Sequence, residues 1–210
     1  DYAPHITPGF DKKILAAASL FPDDIGVVYN HMANASFPQI NVVTAKMAEL
    51  MGGMYPPYFP YWFVDHWLDD IAKMTDRLAF ADVWIDCSKR PGTQDMREPA
   101  FWATFFDVIA PMRAEIAKTV IATMDEPEWR KEMLIGRFPL IQFHSMWINQ
   151  NVRQASWANA GLNTIDARYH RIRNRAVEVM QPYVAELQKK DAREIEEVSF
   201  GSHLDATATP

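Results

Sequence analysis

The stretch Tyr61–Thr75, YWFVDHWLDDIAKMT, places Asp65, His66, Asp69 and Asp70 beside Trp62 and Trp67, directly after the aromatic and proline-rich run Met54–Pro60. Residues three and four apart share one side of a helix, so a helix starting near Asp65 gathers Phe63, Trp67, Ile71 and Met74 on one buried side. Asp65 and Asp69 are then i,i+4 neighbours on another face, as are His66 and Asp70. Asp65, at the head of this helix and behind a wall of Tyr, Trp and Pro, has two readings. It can act as a general base whose proton affinity rises with partial burial, or as an N-cap that accepts orphan backbone N–H groups. His66 reads as a hydrogen-bonded core histidine or as a metal ligand, with no second ligand nearby at binding spacing. Asp69 and Asp70 read as solvated helix-face residues, and Tyr61 and Trp62 as core aromatics.

Upstream of this stretch, Thr7-Pro8-Gly9-Phe10-Asp11 reads as a turn into a helix capped by Thr7 or Asp11 and ended by Pro22-Asp23-Asp24. Ile25–Tyr29, IGVVY, is a short β-branched and aromatic strand, followed by a loop over Asn30–Phe37. Pro38–Met51 has Ile40, Val43, Met47 and Leu50 at helical spacing and closes on Gly52-Gly53. Phe80–Cys87 alternates as a second strand, and Ser88–Glu98 is a polar, mobile loop. The pattern then turns helical. Stretches are expected over Glu98–Met124 with a bend at Pro111, from Phe138 to about Ala160, and from Ile165 to about Val198. The expected fold class is therefore α/β with an incomplete sheet, followed by an α-helical C-terminal region. Its divisions are residues 1–90, a loop at 91–97, a helical region at 98–198 and a disordered tail at 199–210.

The 210 residues, 49% of them apolar, suffice for one substantial core. No apolar run reaches the roughly 18 residues of a membrane span and no signal peptide opens the chain, so a cytoplasmic location is expected. The single Cys87 excludes an internal disulfide and a multi-cysteine zinc site. A net charge of −6 argues against a nucleic-acid partner, which would need a basic surface. The chain opens on Asp1 rather than Met, which reads as a cut or processed start.

The order ITPGFDKKI, helix, FPDD-IGVVY, SFPQINVVTAKMAELMG, GMYPPYFPYWFVDHWLDDIA and ADVWIDC resembles the second half of a GT-A-fold glycosyltransferase of the family 2 type, over roughly residues 1 to 87. The resemblance implies sugar transfer from a nucleotide-sugar donor to a saccharide or lipid-linked acceptor, assisted by Mn²⁺ or Mg²⁺ and inverting at the anomeric carbon. It places Asp65 as the catalytic base with Asp69 as the fallback, His66 on metal or diphosphate, Asp1 at the last carboxylate of a metal motif, and Tyr61 and Trp62 against the acceptor sugar. It also implies a preceding nucleotide-binding half of βαβ units, so that the chain is a fragment of the enzyme.

A second reading makes the chain a non-catalytic helical module whose surface docks a partner. Arg168, Arg171, Arg173 and Arg175, with His170, form either a solvated helix face or a docking surface for phosphate groups, a protein or the inner face of an anionic membrane. The six histidines form none of the Glu-x-x-His pairs of a helical-bundle metal enzyme.

Overall fold

The computed structural model describes residues 7–32, 41–60, 63–85, 98–153 and 167–205. Helix α1 (Phe10–Ala18) leads into strand β1 (Val27–Met32), followed by β2 (Asn41–Val43), α2 (Ala45–Leu50), α3 (Val64–Thr75) and β3 (Leu78–Ile85). Helices α4 (Pro99–Val108), α5 (Ala110–Thr123), α6 (Glu128–Gly136), α7 (Phe138–Arg153) and α8 (Ala167–Asp205) complete the order. The mixed α/β part with its small sheet and the helical C-terminal region both match the sequence reading. The polar loop at 88–97 and Cys87 lie outside the described residues.

The sheet has the order β2-β1-β3, with β1 antiparallel to β2 and parallel to β3. Its centre is β-branched on both faces. Val27 and Tyr29 turn toward α3 and the main core, while Val28 joins Ala17 and Phe21 beneath Ala79, Ala81 and Val83. Gly26, at the entrance to β1, is demanded by this second layer: a Cβ there would stand 2.0 Å from Phe21 Cδ2. The ladder between β1 and β3 slips at Asn30/His31.

Several element boundaries differ from the sequence reading. Part of Pro38–Met51, expected to be one helix, is strand β2 and then α2. Val42 and Val43 are β-branched and pair with β1, and a helical spacing over so short a run cannot outweigh that tertiary pairing. Gly9, at φ 66°, occupies the N-cap of α1 in place of Thr7 or Asp11. The stretch expected to bend at Pro111 breaks at Ile109 into α4 and α5, with Pro111 in the first turn of α5, where its missing N–H costs nothing. Helix α6 was not expected, although Asp125-Glu126-Pro127 before it is a start signal. Helix α8 runs to Asp205, past the tail expected from Ser199, because Asp191–Val198 is rich in good helix formers.

One buried cluster runs from β1 through α3 to α8. Trp67, Leu68 and Ile71 of α3 pack with Trp102, Phe105 and Phe106 of α4, Val120 and Ile121 of α5, Phe138 of α7 and Tyr169 of α8. Phe63, Trp67, Ile71 and Met74 are all buried, as the spacing predicted. At about 1.5–3 kcal/mol per large apolar side chain removed from water, this single face contributes most to holding α3 between the sheet and the helices.

Candidate functional site

Helix α3 enters through a strained residue. Phe63, its N-cap, sits at φ 69°, in the left-handed region that a bulky side chain occupies at a cost of about 1–3 kcal/mol. Packing holds it there, with its ring 5.4 Å from the rings of both His66 and Phe106 and 6.3 Å from Phe59. Asp65 is therefore a first-turn residue rather than the cap. Its carboxylate sits at the positive end of the helix dipole, a placement that favours the anion.

Asp65 Oδ1 accepts the His66 backbone N–H at 3.0 Å and lies 3.1 Å from His66 Nδ1. A carboxylate only accepts, so Nδ1 carries the proton in this contact. The Asp65 and His66 side chains are 20% and 13% exposed, so both are mostly buried with part of each at the surface. Asp65 Oδ2 has no partner among the described residues. Burial, followed by the nearby Asp65 carboxylate, pushes the Tyr55 phenol above its ordinary value, which places Tyr55 in the same neighbourhood.

The neighbouring carboxylates are committed elsewhere, which corrects their reading as solvated residues. Asp69 is 8% exposed; its Oδ1 accepts the Tyr29 hydroxyl at 2.8 Å and its Oδ2 pairs with Lys73. This strut joins α3 to the centre of the sheet, and burial and the Asp69 charge push the Tyr29 phenol well above its ordinary range. Asp70 is 1% exposed and lies deeper still. Arg113 Nε donates to Asp70 Oδ2 at 2.9 Å, and the Ser145 hydroxyl donates to Oδ1, so α3, α5 and α7 meet on one carboxylate. The Arg113 guanidinium also lies 3.6 Å from the Phe106 ring centroid. Burial raises the Asp70 carboxyl and lowers the Arg113 guanidinium, each shift partly reversed by the other charge.

The end of the sheet at which Asp65 lies follows from topology. The short link Asp76-Arg77, with Asp76 in the left-handed region and the Arg77 N–H donating to Ala72 C=O at 3.0 Å, reverses the chain from α3 into β3. The head of α3 therefore lies toward the carboxyl ends of the parallel strands β1 and β3, where open α/β sheets place their ligands. A cavity of about 460 Å³ lies at the opposite end, lined by Leu20, Pro22, Asp23, Arg77, Asp125 and Glu126. There Arg77 is already paired with Asp23 at 3.0 Å and with Glu126 at 3.3 Å, so this cavity surrounds a structural clamp.

No protein-family model, curated protein or solved structure matches this chain.

Of the residues singled out in the sequence, Asp65 and His66 are brought together, whereas Asp69 points into the sheet contact. Asp1, Tyr61 and Trp62 lie outside the described residues. Among the described residues no group of three or more His, Cys, Asp or Glu is placed to hold a metal, and Asp65 with His66 offers two donors whose near atoms face each other. These residues by themselves do not fit the Mn²⁺ or Mg²⁺ site that the resemblance implies. The arginine cluster divides. Arg173 makes a two-pronged contact with Glu98, at 2.7 and 3.2 Å, and lies over the Phe101 ring. Arg175 pairs with Glu178, while Arg168 and Arg171 are exposed. Tyr55 carries no signal in the sequence beyond its place in the aromatic run, and Arg113 none beyond being a charge inside an apolar helical stretch.

Proposed function

We propose that the chain provides the acceptor side of an inverting glycosyltransferase that uses a nucleotide-sugar donor, with Asp65 as the general base. The observation that carries the reading is the contrast among three carboxylates of one helix: Asp69 and Asp70 have both oxygens engaged, whereas Asp65 Oδ2 has no partner among the described residues. In this reading Oδ2 takes the proton of an acceptor hydroxyl. The hydroxyl oxygen then bonds to the anomeric carbon while the bond to the nucleoside diphosphate breaks on the opposite face, inverting the centre. His66 Nδ1–H holds Oδ1, so the carboxylate presents its other oxygen outward. Tyr55 and the neighbouring aromatics of the sequence, Tyr61 and Trp62, supply flat faces and a hydroxyl suited to a saccharide or lipid-linked acceptor.

The divalent metal and the nucleotide-binding half belong to the proposal through the resemblance alone, which named Asp1 and His66 as contacts; no step is assigned to the metal at these residues, and the cytoplasm is the proposed compartment. The test is transfer of labelled sugar from a panel of nucleotide-sugar donors, using the longest open reading frame that contains these residues. Asp65→Asn should abolish transfer while donor binding, read by calorimetry, and the circular dichroism spectrum stay unchanged. Retained turnover in that variant overturns the assignment of the base.

A further inference from the structure

We propose that the outward face of α7 inserts into the interfacial layer of a lipid bilayer, seating the protein on a membrane surface independently of any catalytic role. The buried side of α7 is made by Phe138 and Ser145, with Ile141 partly covered. At about 100° per residue, Leu140, Phe143 and Trp147 fall within a wedge of about 60° on the opposite side. They are 71%, 66% and 59% exposed, so folding makes little use of three of the largest side chains in the helix. His144 stacks on Trp147, with an interplanar angle of 21°, and gives the indole a polar neighbour.

Charge identifies the occupant. The chain carries 27 Asp and Glu, yet Phe138–Arg153 contains none, and the exposed Arg137 stands immediately before it. An acid-free helix brings no carboxylate to a headgroup layer, its exposed Leu, Phe and Trp are the residue types that enter such a layer, and tryptophan is the side chain enriched at the membrane–water interface. Helix α6 also exposes Trp129 and Met133 but carries Glu128 and Glu132 beside them, so the insertion is assigned to α7. Size argues against a second copy of the chain. At roughly 150–250 Å² per large side chain, the exposed wedge amounts to about 400 Å², half of the ~800 Å² per partner in a stable protein interface.

The experiment is flotation of the 210-residue chain with vesicles of phosphatidylcholine alone and of phosphatidylcholine mixed with phosphatidylglycerol. The chain should float with the vesicles. The triple variant Leu140→Ser, Phe143→Ser, Trp147→Ser should lower the bound fraction roughly tenfold or more, with an unchanged circular dichroism spectrum because these side chains lie outside the core. Leu15→Ser, a change at an equally exposed leucine on α1, should leave binding as it was. The proposal is overturned if the chain fails to float with either vesicle or if the triple variant floats equally well. It is also overturned if the same triple variant abolishes a concentration-dependent dimer, seen by sedimentation, in a chain that does not bind vesicles.

Discussion

Asp65 and Asp70 lie five residues apart on one helix and are expected to respond to substitution in opposite ways. Among the described residues Asp65 contributes a first-turn charge, about 0.3–1 kcal/mol, and accepts from the backbone N–H and Nδ1 of the adjacent His66, contacts that an amide oxygen can keep. Asp65→Asn should therefore lower the unfolding free energy from urea denaturation by no more than about 1 kcal/mol, and a larger loss would give the residue a structural role instead. At Asp70 the opposite holds, because removing Arg113 leaves a carboxylate buried among apolar groups. Breaking a buried pair by one partner costs about 3–5 kcal/mol, whereas replacing both with apolar groups of similar volume is often close to neutral. Arg113→Met should destabilise by that amount, and Asp70→Leu combined with Arg113→Met should recover most of it. Urea denaturation of the two single variants and the double variant checks this, and simple additivity would contradict it. Gly26→Ala should cost about 1–3 kcal/mol by overpacking against Phe21. Adding Phe21→Leu should return part of the loss if the clash is with the ring.

Between elements, the joints are polar struts placed where apolar faces meet. The Asp69–Tyr29 contact pins α3 to β1, and a second network pins α4 to α8. In that network the Trp102 indole N–H donates to Tyr169 Oη at 3.2 Å, the Tyr169 hydroxyl donates to Glu98 Oε2 at 2.9 Å, and Arg173 clamps the same carboxylate. Burial pushes the Tyr169 phenol up to about 12, the Glu98 carboxylate adding to the rise and the Trp102 donor opposing it. A phenol that starts from 10.0 and rises on folding holds its proton more tightly in the folded state. Its contribution to stability is complete below pH 10 and is lost as pH climbs toward 12. Chemical-denaturation midpoints measured from pH 8 to 12 should fall over that upper range, and Tyr169→Phe should flatten the fall. An unchanged slope in the variant would assign the alkaline loss to other groups.

In the whole molecule, a continuous core joins the small sheet to the helices, so α3 is covered on one side by β1 and on the other by α4, α5 and α7. That arrangement explains which parts of the sequence were legible. The buried stripe of α3 and the strand character of IGVVY depend on neighbours within one or two turns, and local spacing revealed them, whereas the contact of Asp65 with His66 joins adjacent residues that helical spacing sets apart. The fates of Asp69 and Asp70 depend on Tyr29, Arg113 and Ser145, which are 40, 43 and 75 residues away in the chain, and no local pattern carries that information. Strand β2 was hidden for the same reason, since three residues become a strand only when β1 is there to pair with them. Described helices are also too short or too polar to cross a membrane, which the absence of any long apolar run foretold. The sequence by itself determined the mixed α/β character, the helical C-terminal region and the amphipathic face of α3, because hydrophobic periodicity is a local property. Only the tertiary structure decided that Asp69 and Asp70 of YWFVDHWLDDIAKMT are buried with both oxygens engaged, because desolvation and ion pairing are set by residues that folding brings from elsewhere.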